Sequence, residues 1–249
     1  MEVRKYTFGN VTFRVESPVP LLKQQKFEAF AANEVQDDDF VIEIHAPTSI
    51  TENRINLSQR VTPNTCHVFI KEQYLPQITI ANVFSVAKAA NLLPEKNSFV
   101  LHCSYVLHKE KALLFCAPCE TGKSTQAVFW EKCRGTITVN EDRAVIFKQN
   151  GIYYAGGCWA TGHADTCLNI TAPIEKIVLL GQGHENRVYS VSVAEMLQRI
   201  LSQCSFDDKN QVRSQHMIHL VLDLLDKVSV VAFDCIKDES SVDELEKYL

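Results

Sequence analysis

The residues with the clearest chemistry lie between Leu113 and Thr125, where an apolar run leads through a short loop into Gly122-Lys123-Ser124-Thr125. A strand, a loop and a helical segment in that order are what a phosphate-binding loop requires. At the start of such a helix, the backbone N–H groups and the helix dipole attract an anion. The sequence therefore predicts a phosphate site over residues 117–125, and the alternative is a surface turn that contains a lysine by chance.

Within this candidate phosphate loop, the residue types predict separate roles. We expect Lys123 to reach the outer phosphates of a nucleotide and the Ser124 hydroxyl to complete the shell of a magnesium ion. The usual pattern has glycine at the position of Ala117, and glycine tolerates backbone angles that a Cβ disfavours, so an altered loop shape is expected. The remaining predicted phosphate contacts come from Ala117, Pro118, Cys119, Glu120, Thr121, Gly122 and Thr125.

The same loop contains a CxxC motif, Cys116-Ala117-Pro118-Cys119, of a kind also found at redox sites on strand-to-helix junctions. A redox role would leave the Gly-Lys-Ser-Thr segment unexplained, so packing cysteines are the preferred interpretation. A Cys116–Cys119 disulfide that distorts the loop and blocks nucleotide binding is kept as an alternative. The motif has no second cysteine pair at suitable spacing, so a zinc site is not expected.

A second candidate group follows the β-branched run Thr136 to Val139, which predicts a strand ending in Asn140-Glu141-Asp142-Arg143. A magnesium-binding acid is expected at the end of a strand that follows a phosphate loop. Two adjacent carboxylates allow one to hold the metal while the other accepts a proton from an attacking hydroxyl. The alternative is a polar turn, because Ala144 to Phe147 resumes the apolar pattern.

The bulk composition limits the class of protein. The 249 residues are 46% hydrophobic and 22% charged, with a net charge of −5. These values are ordinary for a globular chain of one large domain or two smaller ones, and they argue against a basic nucleic-acid surface. No run approaches the roughly 18 apolar residues of a membrane span, and no signal segment is recognised. Nine cysteines without framework spacing favour free thiols in the cytoplasm.

Residues 1–95 are predicted to form a strand-rich first region. Asp37-Asp38-Asp39 is interpreted as a solvated loop. A helix is predicted from Asn82, its N-cap, to Leu93, and a domain boundary is expected near residue 95. The predicted strands are Tyr6 to Val15 with a turn at Gly9-Asn10, Phe40 to His45, Val68 to Ile70 and Ile78 to Ile80.

Residues 96–249 are predicted to form a second region that contains both candidate groups. Gln149-Asn150-Gly151 predicts a hairpin turn, and Gly156 to His163 predicts a flexible segment near a site. Ser192 is the expected N-cap of the first late helix, with Glu195 at capping-box spacing. The predicted strands are 98–107, 112–116, 136–139, 144–147, 152–155, 174–180 and 229–233, and the late helices are 192–201, 212–225 and one from Ser241.

With these residues in order, the second region resembles the catalytic domain of HPr kinase/phosphorylase and its smaller relatives, within the phosphoenolpyruvate carboxykinase-like P-loop group. The resemblance implies a mixed α/β (α+β) P-loop domain preceded here by the strand-rich region. It rests on Leu101-His102-Cys103-Ser104, Gly122-Lys123-Ser124-Thr125, Glu141-Asp142-Arg143, and the loop Gly156 to Gly162 followed by Ile174 to Leu180.

The resemblance implies ATP- and Mg²⁺-dependent phosphorylation of a serine hydroxyl on a protein or peptide. The resemblance implies that Glu141 is the proton acceptor and that Asp142 lies near the metal. It also implies that His102 lies close to the phosphates, that Lys123 binds the phosphates and that Ser124 binds magnesium. The family usually has an aspartate where Glu141 stands, and one extra methylene moves a base by about 1 Å, enough to slow transfer. The signature segment of the HPr-modifying enzymes is missing after Gly162, so neither HPr as substrate nor phosphorolysis is expected.

Other activities stay open at this stage. Ala117 and Glu141 favour a nucleotide-binding accessory protein with little transfer, and an unoccupied acceptor site would admit water and give a weak NTP hydrolase. The expected partners are a nucleotide and a protein or peptide acceptor, with neither nucleic acid nor a membrane. Residues 1–95 are assigned to substrate recognition from their position alone. Relatives often form homo-oligomers, and the sequence leaves the oligomeric state of this chain open.

Overall fold

Residues 1–32, 37–47, 56–162, 165–206 and 209–249 are described by the structure, a computed structural model. Within them the chain has a mixed α/β architecture with two sheets, which confirms the predicted fold class at that level. His163, at the end of the predicted flexible segment, lies outside the described residues. No helix in the described part of the chain is long and apolar enough to cross a membrane.

The first sheet has five strands in the order β1-β2-β3-β5-β4. β1 and β2 form the predicted hairpin, turned at Gly9, whose φ of +60° suits glycine. β2, β3 and β5 are parallel neighbours, and side chains along β3 and β5 alternate between buried and partly exposed. The strands are β1 (Glu2–Phe8), β2 (Val11–Ser17), β3 (Phe40–His45), β4 (Asn56–Arg60) and β5 (Thr65–Ile70).

The structure corrects two predictions for residues 78–93. The predicted strand at 78–80 is absent, because Thr79 caps a helix, α2 (Ile80–Val86). Asn82 is the third residue of this helix rather than its cap: the Thr79 hydroxyl accepts from the Asn82 backbone N–H, and the Asn82 side chain accepts from the Thr79 N–H. α2 ends before Lys88, whose φ is 51°. The other short helical segments of this region are α1 (Gln25–Glu28) and 3₁₀ turns at Glu72–Gln77, Ala89–Asn91 and Leu93–Lys96.

The prediction of a solvated acidic loop at Asp37-Asp38-Asp39 is wrong for two of the three residues. Asp38 pairs with Lys5 at 2.9 Å. Asp39 accepts a hydrogen bond from the Thr12 backbone N–H at 2.8 Å. These contacts fix the loop to the first sheet, so the acids serve the fold.

The second sheet has nine strands and contains every strand predicted after residue 96. β12 and β13 are additional, and at three and two residues they are too short to leave a pattern. The strands are β6 (Ser98–His108), β7 (Lys111–Cys116), β8 (Ile137–Asn140), β9 (Arg143–Gln149), β10 (Ile152–Gly156), β11 (Thr171–Gln182), β12 (Arg187–Tyr189), β13 (Cys204–Ser205) and β14 (Ser229–Cys235).

Four α-helices accompany the second sheet among the described residues. The predicted N-cap of α4 is confirmed, because the Ser192 hydroxyl accepts from the Glu195 backbone N–H at 3.2 Å. The four helices are α3 (Lys123–Arg134), α4 (Val193–Leu201), α5 (Gln211–Lys227) and α6 (Ser240–Glu246).

The strand order of the second sheet places the two candidate groups near each other. β11 lies between β7 and β14 and is parallel to both, so the segments that follow these three strands lie along one edge. β6 is antiparallel to β7, and β8 and β9 pair with the opposite side of β6. The turn between β8 and β9 therefore lies beside β6, across from the end of β7.

One apolar cluster contains residues of both sheets. Trp159, from the loop after β10, contacts Phe8 and Phe84 of the first region with ring centroids 5.1 Å away in both cases. Residues 156–159 are buried, so the prediction of a flexible segment is wrong for this part of the loop. Gly157 is required there, because a Cβ would lie 2.1 Å from the Leu168 carbonyl oxygen.

Candidate functional site

The candidate phosphate loop joins the end of β7 to the start of α3. Lys123 is the first residue of α3 and is 7% exposed. Its Nζ donates hydrogen bonds to the carbonyl oxygens of Ala117 at 2.8 Å and Pro118 at 3.1 Å. Within the described residues it forms no ion pair. The loop therefore encloses a cation at a helix N-terminus, the combination that attracts an anion.

The backbone of the loop explains why alanine is tolerated at position 117. Left-handed backbone angles occur at Glu120, with φ 63°, and at Gly122, with φ 112°, and Ala117 is not among the positive-φ residues. The position that needs glycine's freedom is Gly122, immediately before the helix. The departure of Ala117 from the usual pattern is thus compatible with this loop.

A cleft of about 400 Å³ opens beside the loop. Its walls come from the start of α3 and from the segments after β11 and β14. Gln182 crosses between them, and its side-chain nitrogen donates to the Glu120 carbonyl at 3.2 Å. Ser124 is exposed at the second position of α3. The lining residues are Glu120, Thr121, Gly122, Thr125, Gln126, Gln182, Gly183, Cys235, Ile236 and Lys237.

The acidic turn between β8 and β9 is fixed by Asn140, a fully buried residue for which sequence analysis predicted no separate role. Its side-chain oxygen accepts from the backbone N–H groups of Asp142 and Arg143, both at 2.9 Å. Its side-chain nitrogen donates to the carbonyls of Cys158 at 3.0 Å and Ala160 at 3.1 Å. An asparagine ahead of a polar turn is the pattern of an Asx turn, a signal that could have identified it.

Asp142 is held by two partners. Its Oδ1 lies 3.2 Å from His102 Nε2, and its Oδ2 accepts from Arg143 Nε at 3.1 Å. The hydrogen bond from His102 lowers the pKa of Asp142; burial opposes this shift, and the nearby Arg143 charge adds to it. His102 Nδ1 lies 2.9 Å from Gln203 Oε1, so a residue 101 positions away orients the ring. The structure thus brings His102 and Asp142 together.

Glu141 has one carboxylate oxygen, Oε1, that is buried and lacks a hydrogen-bond partner among the described residues. Its own carbonyl accepts from the Ser104 hydroxyl at 2.6 Å, which fixes the backbone. Gly162 lies against the side chain, and a Cβ there would be 3.1 Å from Glu141 Cγ and Cδ. The Glu141 carboxylate thus differs from its neighbour Asp142 in having an oxygen whose hydrogen-bonding capacity is unmet among the described residues.

Cys103 connects the two groups across β6. It pairs with Cys116 at the end of β7, and its backbone N–H donates to the Asp142 carbonyl at 3.0 Å. Two strand spacings separate the Cys116 and Asp142 backbones by about 10 Å. Burial raises the pKa of the Cys103 thiol. The Lys123 charge opposes this increase in pKa, and the Asp142 charge adds to it.

The CxxC cysteines differ in their environments. Cys116 is 1% exposed, and burial raises the pKa of its thiol to about 12. Cys119 is exposed, and all nine cysteines are free. Because the thiolate is the reactive form, Cys116 is a poor redox residue, and its environment supports the packing interpretation.

Comparison with known proteins gives no family assignment. No protein-family model matches the chain, and no curated protein matches it. A solved structure, the HPr(Ser) kinase/phosphatase from Coxiella burnetii, aligns with 60% of this chain and 97% of that chain, at 12% sequence identity and a TM-score of 0.33. A structural similarity of this size carries no argument about activity, which has to come from the site.

Proposed function

We propose that this protein is an ATP- and Mg²⁺-dependent kinase that phosphorylates a serine hydroxyl on a protein or peptide. The observation that carries the proposal is the buried Lys123 ammonium at the N-terminus of α3, whose hydrogen-bond partners among the described residues are two loop carbonyls. A nucleotide phosphate would provide the missing counter-charge. The adjoining cleft of about 400 Å³ has the size of a small-ligand pocket.

The residues of the two groups would divide the work of phosphoryl transfer. ATP supplies the phosphoryl group, and magnesium neutralises developing charge. Lys123 and the backbone N–H groups of residues 119–125 would bind phosphate oxygens, and Ser124 and Asp142 would hold the metal. Glu141 would accept the proton of the attacking hydroxyl through its carboxylate. His102 would keep Asp142 in position through the 3.2 Å contact.

The acceptor would enter through a second cleft, of about 700 Å³, that reaches Asp142 and Arg143. One wall comes from α2 and the 3₁₀ turn after it, so residues 1–95 would take part in substrate recognition. Lys88, Arg143 and Lys209 line this cleft, and Asp142 is the one carboxylate among its described lining residues. This charge balance favours an acidic peptide segment around the serine. A kinase of this kind would work in the cytoplasm, where free thiols persist.

One observation favours a nucleotide-binding accessory protein as the second candidate. Both carboxylate oxygens of Asp142 already have partners, His102 and Arg143, so a metal ion must compete with them. This alternative predicts normal ATP binding without transfer or hydrolysis.

The test compares wild type with Lys123→Ala and Glu141→Gln, and uses Lys132→Ala, an exposed lysine of the same helix, as the matched control. ATP affinity is measured by calorimetry, and transfer is measured with labelled ATP and a lysate of the source cells as acceptor. A kinase loses binding in Lys123→Ala and loses transfer in both site variants, while Lys132→Ala keeps both. Binding that depends on Lys123 without any transfer supports the accessory protein, and full activity in Lys123→Ala contradicts the site.

A further inference from the structure

A group of metal-ligating side chains lies on the first sheet, outside the site described above. β3 and β5 are parallel neighbours, and Glu43 on β3 pairs in register with His67 on β5. His45 follows Glu43 by two residues and so lies on the same face of β3. Ile42 and Ile44 alternate with them and are buried. The three side chains therefore project from the face of the sheet opposite the core.

The ligand atoms are already close to one another. Glu43 Oε2 lies 3.0 Å from His67 Nε2 and 3.8 Å from His45 Nε2, and the ligand atoms all lie within 4.8 Å of each other. Two ligands bound tetrahedrally at about 2.1 Å are roughly 3.4 Å apart. The two measured distances bracket that value, so small side-chain rotations bring the three ligands around one ion.

His45 provides an independent observation. Its Nε2 is buried and has no hydrogen-bond partner among the described residues. Its ring stacks on Phe69, with centroids 5.1 Å apart and planes at 25°. A buried polar nitrogen without a partner is uncommon and calls for an explanation such as an ion.

We propose that Glu43, His45 and His67 bind a divalent transition-metal ion, Zn²⁺ in the first instance, with water completing the shell. Two imidazoles and one carboxylate form a ligand set that zinc accepts. The set is unsuited to the magnesium of the proposed kinase, because magnesium prefers oxygen ligands. The ion links β3 to β5 and so stabilises the first sheet. This site is independent of the proposed kinase activity.

Zinc binding is tested on the full-length protein after chelator treatment. Wild type is expected to bind one Zn²⁺ by calorimetry at these residues and to gain about 5 °C in Tm when zinc is 100-fold above its Kd. His67→Ala and Glu43→Gln are each expected to weaken binding at least 100-fold. The matched control, His219→Ala, removes an exposed histidine on α5 and is expected to bind like wild type.

Cobalt distinguishes this site from the cysteines. Co²⁺ bound here is expected to give visible bands without a thiolate-to-cobalt charge-transfer band, because no sulfur takes part. Two results overturn the proposal: a thiolate band that His67→Ala leaves unchanged, or zinc affinity that is the same in Glu43→Gln and His219→Ala. Glu43→Gln keeps the size and shape of the side chain while removing its charge, so the test does not depend on whether His67→Ala folds.

Discussion

At the scale of single residues, the site depends on how its carboxylates are held. Among the described residues, Glu141 has a buried oxygen without a partner, whereas both oxygens of Asp142 have partners. Asn140 fixes the turn that contains both acids through four hydrogen bonds, with the backbone of Asp142, Arg143, Cys158 and Ala160. The two neighbouring acids therefore have different environments, and the proposed mechanism gives them different roles.

Glu141→Gln is expected to lower kcat for phosphoryl transfer by about 10²–10⁴ while ATP affinity stays unchanged, because an amide cannot accept the proton. Steady-state kinetics and calorimetric ATP binding measure the two effects. The control is Glu185→Gln, at an exposed position. Equal kcat in Glu141→Gln and Glu185→Gln would remove Glu141 from the mechanism.

Asp142→Asn is expected to destabilise the protein in a pH-dependent way. The folded-state pKa of Asp142 is lowered, so its carboxylate stabilises the fold at pH values above its unfolded pKa of about 3.9, and that contribution is lost as the pH falls through the folded-state pKa. The difference in unfolding free energy from wild type should be about 1–2 kcal/mol at pH 5 and should shrink below pH of about 4. Urea unfolding at a series of pH values measures it. If the difference in unfolding free energy between wild type and Asp142→Asn stays constant down to a pH of about 3, the pairing of Asp142 with His102 and Arg143 is contradicted.

At the scale of secondary-structure elements, the loop after β10 connects the acidic turn to the core. Cys158 and Ala160 accept the Asn140 hydrogen bonds, and Trp159 packs against the first region. Glycines at two positions of this loop serve different contacts. Gly157 faces the Leu168 backbone, and Gly162 faces the Glu141 side chain.

Alanine at these two glycines should therefore have separable effects. Gly157→Ala places a Cβ 2.1 Å from a backbone oxygen and is expected to cost at least about 1–3 kcal/mol of stability. In Gly162→Ala the new Cβ would lie 3.1 Å from the Glu141 side chain. This variant is therefore expected to displace Glu141 and lower kcat, with a smaller loss of stability than Gly157→Ala. Thermal unfolding and kinetics of the matched pair test this. The opposite ranking of the two stabilities would contradict the packing.

At the scale of the whole molecule, the first region forms one wall of the second cleft. The aromatic contacts of Phe8 and Phe84 with Trp159 join the two regions in one apolar cluster. That packing sets α2 and its following turn opposite Asp142, across the cleft of about 700 Å³. Acceptor recognition would thus depend on a surface to which both regions contribute.

Lys88→Glu reverses a charge on the wall that residues 1–95 contribute to this cleft. It is expected to raise KM for an acidic acceptor peptide about fivefold, equivalent to about 1 kcal/mol, without changing KM for ATP. Lys109→Glu, in the exposed turn after β6, is the control. The acceptor assignment fails if both variants give the same peptide KM.

The sequence by itself determined the local structure of this protein. Apolar runs and turn residues predicted the strands of the second region and the Asn150-Gly151 hairpin, because side-chain period and backbone preference act over a few residues. The strand, loop and helix around Lys123 followed in the same way. A helix was predicted from Asn82, but the strand at 78–80 and the N-cap at Asn82 were wrong, because a capping box at Thr79 starts α2 at Ile80.

Only the tertiary structure decided which distant residues meet. Gln203 orients His102 across 101 positions, and Glu43 and His45 reach His67 only because β3 pairs with β5. The three-dimensional arrangement also showed that Glu141 has an unpaired oxygen while Asp142 has two partners. The physical reason is that such contacts depend on strand order and packing, which join segments far apart in the chain and leave no local spacing to read.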